Sequence, residues 1–218
     1  MQKQTKIKGF IFDLDGVITD TAEFHYKSWQ KLADEEDLFF NREVNEKLRG
    51  VSRMESLNII LADQDIPAAK KKEWTDRKNE YYQKYLTEIS KADILDNMEA
   101  KLEKLKAEGY KLAVGSSSRN AKKVLKQLKI TNLFDIIADG NSVERAKPAP
   151  DLFLYAAQGL GLKAAECVVL EDAESGVEAA LAAEMRVIGL GPESRVGKAD
   201  LVYANVSEIN FEEIIKKL

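Results

Sequence analysis

A chain of 218 residues with 44% hydrophobic and 32% charged residues suits one or two domains with a full hydrophobic core. Its 33 basic and 37 acidic residues are interspersed and leave a net charge of −4, which offers no footprint for nucleic acid or for an anionic membrane. The single cysteine, Cys167, excludes a disulfide within the chain, and its place in an apolar run marks it as a small core residue. Met1 to Lys8 has no apolar leader core and no run is long enough to span a bilayer, so a cytoplasmic protein is expected. Nothing in the pattern demands an oligomer, and a monomer is expected.

Ile7, Phe10, Ile11 and Phe12 predict a buried strand over 7–13, ended by Gly16 and the polar Thr19-Asp20. Asp13 and Asp15 then sit at the carboxyl edge of a sheet, where open α/β sheets bind ligands. Asp15-Gly16 alone fits a plain turn. Asp13 does not, because an extra carboxylate buried unpaired at a strand end is costly. The glycine lets the chain turn between the two acids, so one can attack phosphorus while the other handles a proton. A carboxylate nucleophile makes an acyl phosphate and splits one hard displacement into two easier ones. It needs a divalent cation to reduce charge repulsion.

From about Thr21 to Ser90 the sequence is charged, helical in period and without a convincing strand. A first helix carries His25, Trp29, Leu32 and Ala33 on one face, and Asn41 to Leu48 forms a short second one. Ser52-Arg53-Met54-Glu55 has the form of a capping box opening a third helix through Ile59, Ile60 and Leu61. Pro67 starts a long fourth through Trp74, Tyr81, Tyr82 and Tyr85. Short links between them predict a helical bundle, inserted as a cap domain over 21–90 into a core made of 1–20 and 91–218. Such a cap can close over a site and exclude water. Within it Arg53 suits an anion, since a guanidinium grips phosphate bidentately and a helix N-terminus favours negative charge. Further strands near 110–115, 134–138, 167–171, 186–190 and 201–203 alternate with helices, which predicts an α/β, Rossmann-like parallel sheet with helices on both faces.

Two of these later strands end in polar groups, and a third polar segment lies between them. Lys111-Leu112-Ala113-Val114-Gly115-Ser116 is a strand ending in a hydroxyl, and Cys167-Val168-Val169-Leu170-Glu171-Asp172 is one ending in two acids, followed by Ala173-Glu174-Ser175-Gly176. Between them lies Lys147-Pro148-Ala149-Pro150-Asp151. Taken singly, Ser116 to Ser118 fit a loop with Ser118 as an N-cap, Lys147 a solvated lysine, and Glu171-Asp172 an acidic helix entry. Taken with Asp13-Leu14-Asp15 they supply a nucleophile, hydroxyl and amide donors, a cation and metal ligands, which a phosphoryl site requires. In this combination and order the chain resembles the haloacid dehalogenase-like phosphotransferases. Asp20-Thr21-Ala22-Glu23-Phe24-His25, Leu48-Arg49-Gly50-Val51-Ser52-Arg53, Arg77-Lys78-Asn79 and Ser116-Ser117-Ser118-Arg119-Asn120 narrow the likeness. They resemble the β-phosphoglucomutase family, over nearly the whole chain.

That resemblance implies Asp13 as the nucleophile and Asp15 as the general acid and base. It implies Mg2+ held by Asp13, the Asp15 backbone carbonyl, Glu171 and Asp172, an all-oxygen set suited to a hard cation. Ser116, Ser117 and Lys147 would hold the transferring phosphoryl group. Arg53, Ser118 and Asn120 would bind the far phosphate, with Gly50, Val51 and Arg119 in the same substrate-binding segments. Trp29 and Lys78 correspond to cap positions near the sugar, and Thr21 and His25 to the hinge that couples closure to the acid. His25 and Trp29 also read as packed residues on one helix face. The implied reaction interconverts β-glucose 1-phosphate and glucose 6-phosphate through bound β-glucose 1,6-bisphosphate, primed by glucose 1,6-bisphosphate or another phosphoryl donor. The partner is then a small sugar phosphate, with neither nucleic acid nor membrane. Alternatives are a Mg2+-dependent phosphatase of small sugar phosphates and a non-catalytic sugar-phosphate-binding protein. Asp96-Asn97 departs from the family's usual Pro-Gly, and Arg49 and Arg119 stand where relatives often carry lysine.

Overall fold

Buried strands covered on both faces need apolar residues on both sides, and the runs noted above meet that need. The computed structural model describes residues 6–218, so the start of the 1–20 segment and of the Met1–Lys8 stretch lies outside the described residues. The first strand is β1 (Gly9–Phe12), followed by helices α1 (Ala22–Glu36), α2 (Arg42–Glu46), α3 (Arg53–Leu61), α4 (Ala68–Tyr85) and α5 (Met98–Ala107). Strand and helix then alternate as β2 (Lys111–Gly115), α6 (Ala121–Gln127), β3 (Ile136–Ala138), α7 (Asp151–Leu160), β4 (Cys167–Glu171) and α8 (Glu174–Ala182). The chain finishes with β5 (Arg186–Leu190), α9 (Glu193–Val196), β6 (Leu201–Tyr203) and α10 (Phe211–Lys217). All six anticipated strands form, the first and third shorter than expected.

The six strands make one sheet in the order β3-β2-β1-β4-β5-β6 with every pairing parallel. The order reverses between β1 and β4, and that switch point is where such sheets open a crevice for ligands. Register determines which residues meet there. Phe12 lies opposite Val114 on one side and Leu170 on the other, so Asp13, Ser116 and Glu171 leave their strands at nearly the same level. One face of the sheet packs Phe10, Phe12, Val114 and Leu170 against Leu102, Val124 and Ile214 of α5, α6 and α10. The other packs Ile11, Ala113 and Val169 against Phe153, Ala156 and Val177 of α7 and α8.

A separate apolar cluster of Trp29, Leu32, Leu57, Leu61 and Trp74 joins α1, α3 and α4. Leu32, Leu57 and Leu61 are at most 1% exposed, worth about 1.5–3 kcal/mol of burial each. Local capping starts these helices: Asn41 accepts the Val44 N–H at 2.9 Å and Ser52 accepts the Glu55 N–H at 3.2 Å. For Ser52 that is the serine half of the anticipated capping box. Pro67 stands one position outside α4, in an extended conformation that feeds the chain into the first turn. Asp96 and Asn97 have φ of 32° and 58°, so two residues that tolerate left-handed backbone occupy the place of Pro-Gly. Among the described residues no helix is long and apolar enough to cross a membrane.

Candidate active site

Lys147 is the residue around which the switch-point crevice is built. Its side chain is fully buried, and its Nζ donates to Asp13 Oδ1 at 2.7 Å, to the Gly115 carbonyl at 2.9 Å and to Glu171 Oε1. Burial works against the ammonium charge, but Asp13 and Glu171 outweigh it and hold Lys147 above the ordinary lysine range. The solvated-lysine reading of the loop therefore fails.

Glu171 ends β4, and its other oxygen accepts the Ala173 N–H at 3.0 Å. Burial, with Asp13 adding to it and Lys147 opposing, pushes Glu171 up to about 7. Asp172 is pushed well above its usual value by burial and then by Glu171 and Asp13, against the pull of Arg49 and Arg195. Oxygens of Asp13, Glu171 and Asp172 lie within 4.8 Å of one another. Lys147 pairs with Asp13 and Glu171 while Arg49 reaches Asp172 from the side, and the all-oxygen donor set that the three buried carboxylates form fits a hard divalent cation such as Mg2+. Gly16 permits the approach: its φ is +79°, and a Cβ there would fall 2.4 Å from Asp172 Oδ2.

Asp15 is half-buried and points its Oδ1 at the start of α1. The Thr21 hydroxyl donates to that oxygen and the Thr21 N–H reaches it at 3.3 Å. With the threonine proton so committed, the Tyr82 hydroxyl, 2.9 Å from Thr21 Oγ1, is the donor of their shared bond. Burial, chiefly, and the charge of Asp13 push Asp15 up to about 6, inside the range useful for proton transfer near neutrality. Behind Tyr82, His25 stacks on its ring with centroids 4.1 Å apart and meets Lys78 Nζ at 2.7 Å through Nδ1. Burial and then Lys78 hold His25 well below the usual histidine range, so its ring is neutral, and burial likewise holds Lys78 well below the usual lysine range.

The opposite wall of the cleft is cationic. Arg53 opens α3 and donates to Asn79 Oδ1 at 2.7 Å, and the Asn120 amide donates to the same oxygen at 2.9 Å. Burial, followed by the charge of Arg119, lowers the Arg53 pKa. Among the described residues no carboxylate forms an ion pair within 4 Å of Arg53 or Arg119, although the charge of Asp76 is felt by both, so this wall suits an anion. Direct bonds join the two walls: the Ser117 hydroxyl donates to the Gly50 carbonyl at 2.7 Å and Arg49 reaches Asp172 Oδ2 at 3.1 Å. Gly50, at φ +72°, lies so close that a Cβ would meet Ser175 Oγ at 2.6 Å and Ala173 Cβ at 2.7 Å. The cleft measures about 810 Å3, in the range of small-molecule sites.

Every residue anticipated at the site lines this cleft except Thr21 and Glu171, which stand directly behind it. Trp29 is only 2% exposed and packs in the α1, α3, α4 cluster, as its helix face predicts, while its ring lies under Lys78 Nζ at 4.9 Å. Ser118 does not cap α6, which is preceded by Asn120; its hydroxyl accepts the Asn120 N–H at 3.2 Å. Asn79, Tyr82 and Arg195 were not singled out as site residues. The one signal for Asn79 is its place in the Arg77-Lys78-Asn79 segment of the resemblance; Tyr82, and Arg195, whose Nε donates to the Asp172 carbonyl at 2.6 Å, left none.

A strand-end aspartate beside a buried lysine and two further strand-end acids, on a parallel sheet of this order, is the arrangement of one large enzyme family. The chain belongs to the haloacid dehalogenase-like hydrolase family, whose model matches residues 10–190. Within it the chain is 41% identical, over 94% of its length and 93% of the relative, to the β-phosphoglucomutase of Bacillus subtilis strain 168. It is 28% identical to a phosphorylated carbohydrates phosphatase of Thermotoga maritima, over 97% and 98% of the two chains. The crystal structure of β-phosphoglucomutase from Clostridium difficile superposes with a TM-score of 0.93 at 40% identity, covering 97% of this chain and 96% of that one.

Proposed function

We propose that the protein is a β-phosphoglucomutase, which interconverts β-glucose 1-phosphate and glucose 6-phosphate through an aspartyl phosphate on Asp13. The observation that carries the reading is one cleft with two anion-binding ends. Lys147 and the acidic cluster stand at one end, and Arg53 with Asn120 and Arg119 at the other. A phosphatase needs only the first end, whereas a sugar carrying two phosphates occupies both. The similarity to β-phosphoglucomutases of two organisms at about the same identity supports the same choice.

In this reading residues 21–90 act as the cap and 1–20 with 91–218 as the core. An oxygen of Asp13 attacks phosphorus and the bond from phosphorus to the sugar oxygen breaks. Asp15, with Oδ1 occupied by Thr21, delivers a proton from its other oxygen to the departing sugar oxygen. The same carboxylate takes the proton from the attacking hydroxyl when the phosphoryl group returns to the sugar. Ser116, Ser117 and Lys147 hold the phosphoryl group in transit, while Arg53, Ser118 and Asn120 hold the other phosphate. Asp13, Glu171, Asp172 and the Asp15 backbone carbonyl would hold Mg2+, which when bound offsets the charge between carboxylate and phosphate. Trp29, Lys78, Gly50, Val51 and Arg119 face the sugar side. The bisphosphate turns around between half-reactions, and glucose 1,6-bisphosphate or another phosphoryl donor primes the cycle. The protein works as a monomer on a small sugar phosphate in the cytoplasm.

The test is to incubate the protein with Mg2+, β-glucose 1-phosphate and a trace of glucose 1,6-bisphosphate, and to measure glucose 6-phosphate and free phosphate in one tube. Glucose 6-phosphate in large excess supports the mutase. Free phosphate in excess makes the protein a sugar phosphatase.

A further inference from the structure

Helix α4 presents two neighbouring stripes to the cleft. Lys78 and Tyr82, four residues apart, reach His25 and Thr21 behind the acid Asp15. Asn79 and Gln83, rotated by one position, reach the opposite, cationic end. Asn79 Oδ1 has two acceptor sites and both are used, one by Arg53 Nη2 at 2.7 Å and one by Asn120 Nδ2 at 2.9 Å. Asn120 is clasped from both sides of its amide, because its Oδ1 faces Gln83 Nε2 at 3.4 Å. Arg53 and Asn120 belong to different parts of the chain, one opening α3 and the other preceding α6. Their shared acceptor is a side chain that carries no charge and so does not compete for the anion.

Resting on the mutase reading above, we infer that Asn79 is a positioning residue that brings Arg53 and Asn120 together on one phosphate as the cap closes. Asn79 and Arg53 travel together with α3 and α4, so their bond persists when the cleft opens. The bond from Asn120 forms only on closure. One guanidinium N–H and one amide N–H are tied to the same oxygen, which sets the planes of both groups before ligand arrives and leaves their other donors for the anion. Pre-ordering of this kind raises affinity by removing the cost of arranging the donors during binding. A neutral acceptor is essential, since a carboxylate here would satisfy Arg53 and cancel the charge that draws the phosphate.

The test compares wild type, Asn79→Leu, Arg53→Ala and the double variant, with Asn79→Ala as a second form should the leucine fail to fold. Melting temperature checks the fold. For Asn79→Leu the expected result is a fall in kcat/KM for β-glucose 1-phosphate of about 10- to 100-fold, carried mainly by KM. Phosphorylation of Asp13 by acetyl phosphate, which has no second phosphate to seat, stays within about twofold of wild type. In the Arg53→Ala background the same substitution costs at least about threefold less than in wild type, because the residue acts through the arginine. An unchanged KM, an equal loss with acetyl phosphate, or fully multiplicative effects in the double variant would each overturn the inference. Wild-type protein that forms no glucose 6-phosphate overturns the mutase reading instead, so the two failures are distinguishable.

Discussion

Replacing Lys147 by methionine keeps the length and apolar stem of a fully buried side chain and removes its charge. Three bonds disappear, to Asp13, to the Gly115 carbonyl and to Glu171, and two carboxylates are left facing each other. Removing one partner of a buried pair costs about 3–5 kcal/mol. Protonation limits the loss. Glu171 is already pushed up to about 7, and without its lysine it takes a proton at neutral pH, so the expected cost is near the lower end, about 3 kcal/mol. In a chain of this size that lowers the melting temperature by about 6–12 °C. The measurement is thermal melting in EDTA at about pH 6 and about pH 8, against wild type. A carboxyl whose folded pKa is raised gives stability that is present below its unfolded pKa and lost as pH rises through the folded one. The variant's deficit is therefore larger at the higher pH, and added Mg2+ recovers part of it by restoring positive charge. A variant that melts within about 2 °C of wild type at both pH values would refute Lys147 as the compensating charge of the site.

Asp15→Asn should lower kcat by about 10²–10⁴ while leaving Asp13 open to phosphorylation by acetyl phosphate, whose leaving group needs no acid; a loss below about tenfold in rapid-quench turnover would remove Asp15 from proton transfer. In metal-free wild type, Glu171 is pushed up to about 7, Asp15 up to about 6 and Asp172 also upward, mainly by burial. Each of these carboxyls gives stability that is lost as pH rises through about 7, whereas His25, buried and held well below its usual range, gives stability that grows as pH rises through the ordinary histidine range. Saturating Mg2+ cancels the carboxyl part, so the melting temperature falls more steeply, or rises less, with pH in EDTA than in Mg2+; slopes that Mg2+ leaves unchanged contradict the assigned environment. Gly50→Ala puts a Cβ against Ser175 and Ala173 at a φ of +72°. The backbone term alone is about 1–2 kcal/mol against the closed cleft, so kcat/KM should drop at least about tenfold. Unchanged kinetics would mean that the loop does not need this close approach.

The sheet was legible because parallel strands buried on both faces read as unbroken apolar runs, and each run from Phe10 to Val202 ends where its strand ends. The order of the strands was not, since nothing in a run states its neighbours. Asp13 could be named because a carboxylate at the end of an apolar strand contradicts its surroundings; Asp15, Lys147 and Asp172, each ordinary alone, could be named because together with Asp13 they complete the set a phosphoryl site requires. Asn79 and Gln83 could not. A neutral polar residue on a charged helix looks like any solvated position, and their partner Asn120 lies 41 and 37 residues further along the chain. Tyr82 was read as helix packing, which it also performs, and only the path through Thr21 to Asp15 reveals the second duty. The contact of Arg49 with Asp172 spans 123 residues and depends on how the loop before α3 folds back onto β4.

In the proposed reaction Asp13 carries the phosphoryl group between two positions of one sugar. Radiolabelled β-glucose 1,6-bisphosphate mixed with the protein, quenched at early times and digested, measures this directly. The expected result is acid-stable label on the peptide containing Asp13, lost into glucose 6-phosphate or the bisphosphate pool when unlabelled sugar phosphate is added, and no label in Asp13→Asn. Label on another residue, or undiminished product formation by Asp13→Asn, would contradict it.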